Sequence, residues 1–184
     1  MKKLHVNLKI KSKKNKVDNL KPSPLTRTPL DLSVQFSSSL KPKTLGLFKA
    51  IFTKKNINKW IAWTLNPHAT YLTEVTIRVV DQVEGQALNQ QFRGRAYATN
   101  ILTFNTSEHF NPQADLLICA PVVEAEAKDM GISLLEHCAH LTVHGALHAQ
   151  GYDHEAGPKE ALEMESLESF LMLSLGFRDP YLEH

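Results

Sequence analysis

The sequence is poor in the residues and patterns that mark several large protein classes. Of its 184 residues only 2 are cysteine and 8 are glycine, while 42% are hydrophobic. These proportions exclude a collagen-like chain, a coiled coil and a scaffold held by disulfides. The longest apolar stretches, such as Leu116 to Val123, are far shorter than the roughly 20 residues that cross a bilayer, and no apolar signal-peptide segment follows the basic N-terminus. We therefore expect a globular protein that is neither secreted nor membrane-inserted.

Acidic residues are nearly absent from the N-terminal segment. Residues 1–28 hold nine basic side chains and one acid, Asp18, a net charge of +8 that leaves −6 on the rest of a chain whose total is +2. Such a segment cannot offset its ordering entropy by burial, so we predict a flexible arm at 1–28 and a single domain at 29–184. Either the arm binds a polyanion or it is a solvated tail, and charge alone does not decide. A second basic cluster lies where the domain begins: Lys41, Lys43, Lys49, Lys54, Lys55 and Lys59.

The two cysteines, Cys119 and Cys138, predict little chemistry. A cytoplasmic chain normally keeps its thiols reduced and uses them as small core residues, which is what we expect here. One disulfide between them is the alternative.

Strand patterns and helix patterns are mixed along the remainder of the chain. Alternating or β-branched residues predict strands at Leu30–Phe36, Thr73–Val80, Ile101–Phe104 and Asp115–Cys119. Helical spacing with Pro or Gly at the ends predicts helices at Asn56–Leu65, Glu84–Phe92, Pro121–Gly131, Ser133–Gln150 and Pro158–Leu175. These elements, joined by short links, predict an α+β fold in which a small mixed β-sheet is packed with helices.

The strongest chemical signal is the segment from 144 to 154, H-G-A-L-H-A-Q-G-Y-D-H. His144 and His148 are four residues apart, so on a helix their imidazoles lie on one face and reach a single metal ion. Gly151 permits a turn that other residues avoid, and the turn brings His154 back as a third ligand. Three nitrogens leave one coordination position open, as in catalytic zinc sites. We therefore predict a zincin-like metal-binding helix, against the alternative of three unrelated histidines.

The other histidines are not predicted to bind the metal. His140 lies one helical turn before His144, and we expect His140 and His137 to be packed or hydrogen-bonded behind the ligands. His5, His68 and His109 have no partner at ligand spacing. Because histidine ligands suit zinc, nickel, copper and iron alike, the sequence does not name the metal.

The same histidine spacing occurs in metzincin proteases, but one position differs. Those enzymes carry Glu directly after the first histidine as a general base, whereas this chain carries Gly145, which accepts no proton. Loss of a general base costs about 10²–10⁴ in rate. Phosphodiester cleavage instead needs positive charge on the phosphorane, which a guanidinium fork supplies well. We predict this role for Arg93, in a loop before the third strand, with an ordinary surface arginine as the alternative.

Three segments resemble those of the YbeY endoribonucleases. The segment 144–154 is similar to that family's H-G-x-L-H-x-x-G-Y-D-H signature, 92–104 to a second segment and 114–123 to a third, and the likeness runs from Thr73 to Tyr181. The resemblance implies a zinc-dependent endoribonuclease of the cytoplasm that cleaves single-stranded RNA. It also implies a role in ribosomal RNA maturation and ribosome quality control, with the small subunit and its assembly factors as partners.

The resemblance also implies the roles of individual residues. It maps the metal ligands onto His144, His148 and His154 and the functional arginine onto Arg93. The chain departs from the family at Ala114, where glycine is usual, and at Asn105, where proline is common. Neither departure removes a ligand.

Three questions stay open at this point. Asp115 is either a proton acceptor or the start of a strand. A zincin-type metalloprotease is an alternative function, which the missing Glu disfavours. A non-catalytic assembly factor, whose metal only ties the helix to the following loop, is another, and a fourth protein ligand would mark it.

Overall fold

A mixed β-sheet forms the centre of the fold. The structure, a computed structural model, describes residues 30–64, 72, 74–106 and 113–182. Within these residues one sheet contains four strands in the order β1-β2-β4-β3. The strands β1, β2 and β4 are parallel, and β3 pairs antiparallel with β4 at one edge. Their bounds are β1 Asp31–Phe36, β2 Glu74–Val80, β3 Ile101–Thr106 and β4 Gln113–Cys119.

Six helices pack around this sheet in the described part of the chain. Their bounds are α1 Pro42–Ile51, α2 Lys54–Thr64, α3 Gln82–Arg93, α4 Ala120–Asp129, α5 Leu134–Ala149 and α6 Pro158–Leu175. The predicted α+β class with a small mixed sheet is confirmed, and most predicted elements are present within a few residues of their expected ends. No described helix is both long and apolar enough to cross a bilayer.

The alternation of side chains along the two inner strands divides the core between the sheet faces. Val75, Ile77 and Val79 of β2 belong to the large cluster that also contains the buried residues of α2, α5 and α6. Val80 and the β4 residues Leu117 and Cys119 belong to a smaller cluster beneath α3. The helices α3 and α5 therefore cover opposite faces of the sheet.

Helix α5 lies unusually close to the sheet at Gly145. A Cβ atom added there would lie 2.7 Å from Leu116 Cδ2, 2.9 Å from Ile101 Cδ1 and 3.1 Å from Thr103 Oγ1. These distances are shorter than ordinary van der Waals contacts, so a side chain at position 145 would require Leu116 and Ile101 to shift. The glycine that replaces the metzincin general base thus faces the sheet and not the histidines.

Two sequence predictions need correction. Helix α1 was not predicted, because only a basic cluster was recognised in that stretch, yet its Phe48 is fully buried in the core. Arg93 is not in a loop: it is the last residue of α3, which Gly94 ends in a left-handed conformation with φ of 68°. The predicted arm at 1–28 and the residues His5, His68 and His109 lie outside the described residues.

The expectation for the cysteines is confirmed. Cys119 and Cys138 are free thiols and both are buried. Burial raises the pKa of each thiol, most strongly that of Cys138. Both side chains therefore remain protonated at neutral pH and act as small apolar core groups.

Candidate metal centre

The three histidines at positions 144, 148 and 154 come together at the end of α5. The ring centroids of His144 and His148 are 4.6 Å apart, and those of His154 lie 5.2 Å and 5.1 Å from them. Each histidine offers a ring nitrogen, and these nitrogens all lie within 4.8 Å of one another. The group can therefore hold a metal ion, because one ion at the centre is within reach of all three donors.

Helix α5 and the turn after it produce this convergence. The helix begins after Ser133, whose Oγ accepts a hydrogen bond from the Glu136 backbone N–H at 3.1 Å. It ends at Ala149, and Gly151 follows with φ of 92°. Other residues rarely adopt this backbone conformation, and it turns the chain so that His154 returns to the helix face. The turn predicted at Gly151 is confirmed.

The same turn determines which ring nitrogen of His148 is unprotonated and able to bind a metal. His148 Nδ1 lies 2.9 Å from the carbonyl oxygen of Tyr152. Since a carbonyl oxygen only accepts, Nδ1 carries the proton and Nε2 keeps its lone pair. Burial and the neighbouring rings of His144 and His154 lower the pKa of His148. Both effects favour the neutral imidazole that a metal requires.

A fully buried carboxylate orients the first histidine. Glu168 of α6 has no solvent exposure, and its Oε1 lies 2.8 Å from His144 Nδ1. Its other oxygen accepts hydrogen bonds from His140 Nε2 at 2.6 Å and from the Tyr181 hydroxyl at 2.7 Å. The carboxylate thus places the proton of His144 on Nδ1 and leaves Nε2 free, the arrangement common behind metal-bound histidines.

The charge of Glu168 follows from these contacts. Burial by itself would raise the pKa of Glu168, but the hydrogen bonds from His140 and His144 outweigh burial and lower it to about 2. The carboxylate is therefore ionised at neutral pH, where it accepts and does not donate. Burial, followed by the negative charge of Glu168, raises the pKa of Tyr181, so its hydroxyl remains a donor.

His137, nearer the N-terminal end of α5, is also hydrogen-bonded to a carboxylate. Its ring is nearly buried, and its Nε2 lies 2.8 Å from Glu126 Oε2. Glu126 also accepts hydrogen bonds from Asn100 Nδ2. His137 and His140 are both hydrogen-bonded to carboxylates, as expected from the sequence, and neither belongs to the group of three.

A cleft of roughly 490 Å³ runs along α5, and His144 is the one member of the group of three that lines it. His140 and His137 line it on the helix side. Asn100 and Ile101, just before and at the start of β3, also line it, as does Tyr181 of the C-terminal segment. The cleft therefore gives an extended ligand access to the site beside His144.

Arg93 and Asp115 lie on the side of the sheet opposite α5. Arg93 is exposed at the end of α3, and its side chain forms no hydrogen bond or ion pair within the described part of the chain. Asp115 is the third residue of β4 and is exposed; its side chain points to the same face as Leu117 and Cys119, away from His144. Asp115 is thus inside a strand, and nothing brings it to the histidines as a proton acceptor.

A chain of contacts nevertheless links the end of α3 to the histidines. The ring of Phe92, next to Arg93, packs edge-on against that of Phe104 in β3 at 4.8 Å between centroids. The next residue of β3, Asn105, donates a hydrogen bond from Nδ2 to the His148 carbonyl oxygen at 3.4 Å. The edge strand β3 therefore contacts both the end of α3, through Phe104, and the end of α5, through Asn105.

Glu168, Glu126 and Tyr181 were not among the residues predicted from the sequence. Glu168 is 24 residues from His144 along the chain, so no local spacing connects the two. One signal was available: Met164, Glu168 and Met172 are consecutive at intervals of four and share the buried face of α6. An acid in the middle of an apolar helix face is seldom buried without a partner.

Comparison with known proteins gives the following matches. Residues 48–176 match the family described as Endoribonuclease YbeY. The Endoribonuclease YbeY of Delftia acidovorans is 45% identical over 152 residues, 83% of this chain and 95% of that protein. That of Ralstonia nicotianae is 48% identical over 156 residues, 84% of this chain and 79% of that protein. A solution structure of a Thermotoga maritima protein covers 83% of this chain and 99% of its own, with a TM-score of 0.49 and 22% identity. The family match spans the three histidines and Arg93.

Proposed function

Because the chain belongs to the YbeY endoribonuclease family, we propose that it is a metal-dependent endoribonuclease acting on single-stranded RNA. In this proposal His144, His148 and His154 hold one divalent ion, and Arg93 stabilises negative charge on the phosphate. The observation that carries it is the convergence of three imidazoles whose nitrogens lie within 4.8 Å of one another.

The donor set fits zinc. Zinc accepts three neutral imidazoles and keeps a fourth position for water or substrate in catalytic sites. His144 and His148 each have a partner on Nδ1, Glu168 and the Tyr152 carbonyl respectively, so each offers Nε2. When bound, the ion supplies Lewis-acid polarisation of water or of a phosphoryl oxygen. Nickel or another divalent transition metal would satisfy the same nitrogens.

The protein's own groups have separate tasks in this proposal. Glu168 keeps the His144 ring in place and its Nδ1 protonated, so the free nitrogen points in one direction. Arg93 is exposed and has no ion-pair partner among the described residues, so its guanidinium is available for two phosphate oxygens. In this proposal the RNA strand that carries the scissile phosphate lies in the cleft beside His144.

The biological setting belongs to the same proposal. We infer that the substrate is ribosomal RNA, that the small ribosomal subunit and its assembly factors are partners, and that the protein acts in the cytoplasm. The two free thiols are consistent with a reducing compartment. The basic segment 1–28 would contribute phosphate contacts.

The two alternative functions differ in what they require. A zincin-type protease needs a general base at position 145, but glycine there lies against Leu116 and Ile101 of the sheet. A non-catalytic assembly factor needs a fourth protein ligand on the metal, whereas the described metal-binding group contains three histidines. Both observations favour the endoribonuclease.

The test is cleavage of a labelled single-stranded RNA by the purified full-length chain. We expect cleavage that a chelator abolishes, that added zinc restores, and that His144→Ala and Arg93→Ala reduce by at least about 10²-fold. Arg78→Ala is the matched control, because Arg78 is a partly exposed arginine ion-paired with Glu84. If the two site variants cleave as fast as the parent protein, the activity belongs to a contaminant and the proposal fails.

A further inference from the structure

Two exposed aromatic side chains lie beside two arginines where α3 ends. Phe92 and Tyr97 are 56% and 53% exposed, although large aromatic side chains are usually more deeply buried. Arg93 and Arg95 are exposed as well. We call these four residues, Phe92, Arg93, Arg95 and Tyr97, the aromatic-arginine surface.

Hydrogen bonds to α3 hold the loop that carries this surface. The buried side chain of Asn89 donates from Nδ2 to the Tyr97 carbonyl oxygen at 2.7 Å, and the Asn89 carbonyl accepts from the Arg95 N–H at 3.4 Å. Gln86 Nε2 donates to the Ala96 carbonyl oxygen at 3.0 Å. Phe92 itself rests against Phe104. The exposed rings are thus presented on an anchored backbone, which lowers the entropy lost when a ligand binds.

The charge of the surface favours a polyanion. Residues 85–106 contain no acidic side chain. Arg95 Nη1 donates to the Tyr97 hydroxyl at 3.1 Å, which places the guanidinium at the edge of the ring without neutralising it. One carboxylate contacts the end of the loop: Glu126 accepts a hydrogen bond from Asn100. Glu126 is also hydrogen-bonded to His137, and neither of these contacts involves an arginine of the surface.

The loop leads directly to the candidate metal centre. Three residues after Tyr97, Asn100 and then Ile101 line the same cleft as His144. On the other side of β3, Phe92 contacts Phe104, whose neighbour Asn105 is hydrogen-bonded to His148. An RNA strand bound in the cleft would therefore lie next to the end of this loop.

We propose that the aromatic-arginine surface is a binding site for unpaired nucleobases, in which Phe92 and Tyr97 stack on bases while Arg93 and Arg95 contact the adjoining phosphates. Aromatic rings beside cations are how proteins bind single strands without reading sequence. Bases within a duplex are already stacked and are not available to such rings. The inference rests on the proposed function and deepens it, since it supplies a physical reason for acting on single strands.

Binding of a labelled single-stranded DNA oligonucleotide to the metal-loaded full-length chain tests the stacking. DNA retains the bases and phosphates but is not cut by a ribonuclease. We expect Tyr97→Ala and Phe92→Leu each to weaken binding roughly tenfold, and Tyr97→Phe to bind within about twofold of the parent because it keeps the ring. An oligonucleotide of the same length with abasic sites should bind all four proteins equally.

Two controls make the result specific. Phe170→Ala removes another exposed aromatic, 61% exposed on α6, and should leave binding unchanged. Arg95→Gln should reduce the salt dependence of log K by about 0.7, the contribution of one phosphate contact in a single strand. Equal binding by Tyr97→Ala, Phe92→Leu and the parent would overturn the proposal, as would an equal loss on the abasic strand. In either case metal-dependent RNA cleavage by the parent would show that the proposed function stands without it.

Discussion

At the scale of single residues, the orientation of the histidine rings depends on side chains that are hydrogen-bonded to them, above all Glu168. The convergence of the three histidines was predictable because a spacing of four on a helix and a turn at Gly151 are local properties of the chain. Glu168 was not predictable in the same way, since its contact with His144 depends on how α6 packs on α5. The buried carboxylate accepts from His144, His140 and Tyr181, so three side chains depend on a residue that no ligand motif contains.

Replacement of Glu168 by glutamine tests this dependence. Glutamine offers one acceptor oxygen and an NH₂ group that cannot accept from His144 or Tyr181, so at least one donor is left unpaired. We expect Glu168→Gln to weaken zinc binding by about 10–100-fold, as measured by competition with a chromogenic chelator. Glu163→Gln, on the exposed face of the same helix, should bind zinc like the parent. Unchanged affinity in a Glu168→Gln protein with native circular dichroism would show that the carboxylate does not orient the ligand.

At the scale of elements, the strands were easier to predict than the way the helices lie on them. A β-branched run identified β2 because such a pattern is local to the strand, but the position of β3 at the antiparallel edge depends on tertiary pairing. Helix α1 was not predicted, although Pro42 at its start is the same signal that Pro121 gives for α4, and both helices lack a side-chain N-cap and an acid in the first turn. The close approach of α5 at Gly145 could not be predicted either, since the sequence does not say which residues of the sheet lie opposite.

Two glycines within helices, Gly46 and Gly145, separate the effect of helix propensity on stability from the effect of core packing. Gly46 in α1 is exposed and a Cβ there would meet nothing within 4 Å, whereas a Cβ at Gly145 would collide with Leu116 and Ile101. We expect Gly46→Ala to raise the free energy of unfolding by about 0.5–1 kcal/mol through helix propensity. Gly145→Ala should lower it by about 1 kcal/mol or more, because overpacking outweighs the same gain. Urea denaturation measures both, and equal stabilisation by the two substitutions would mean that α5 can move away from the sheet at no cost.

At the scale of the whole molecule, the charge is divided unevenly between residues 1–28 and the rest of the chain. The predicted arm, residues 1–28, carries +8 while the remainder carries −6. An acidic domain by itself repels a polyanion, so a basic segment outside it would raise the affinity for RNA without setting sequence preference.

Deletion of residues 1–28 tests the contribution of the arm. We expect the shortened protein to bind single-stranded RNA more weakly and with a shallower dependence of log K on log salt, by about 0.7 for each phosphate that the arm neutralises in the full chain. Sequence preference among oligonucleotides should stay the same, because lysines bind phosphates and not base edges. A salt dependence identical to that of the full chain would show that the arm does not bind phosphates.

The most direct measurement of the proposed metal centre is X-ray absorption spectroscopy of the zinc-loaded, full-length protein. Coordination by His144, His148 and His154 with an open position predicts one zinc per chain, three imidazole nitrogens at about 2.0–2.1 Å and one further light-atom ligand from solvent. The His144→Ala protein should show one imidazole fewer or bind no zinc. Four protein ligands in the parent, or an imidazole count that His144→Ala leaves unchanged, would contradict a catalytic site built from these three histidines.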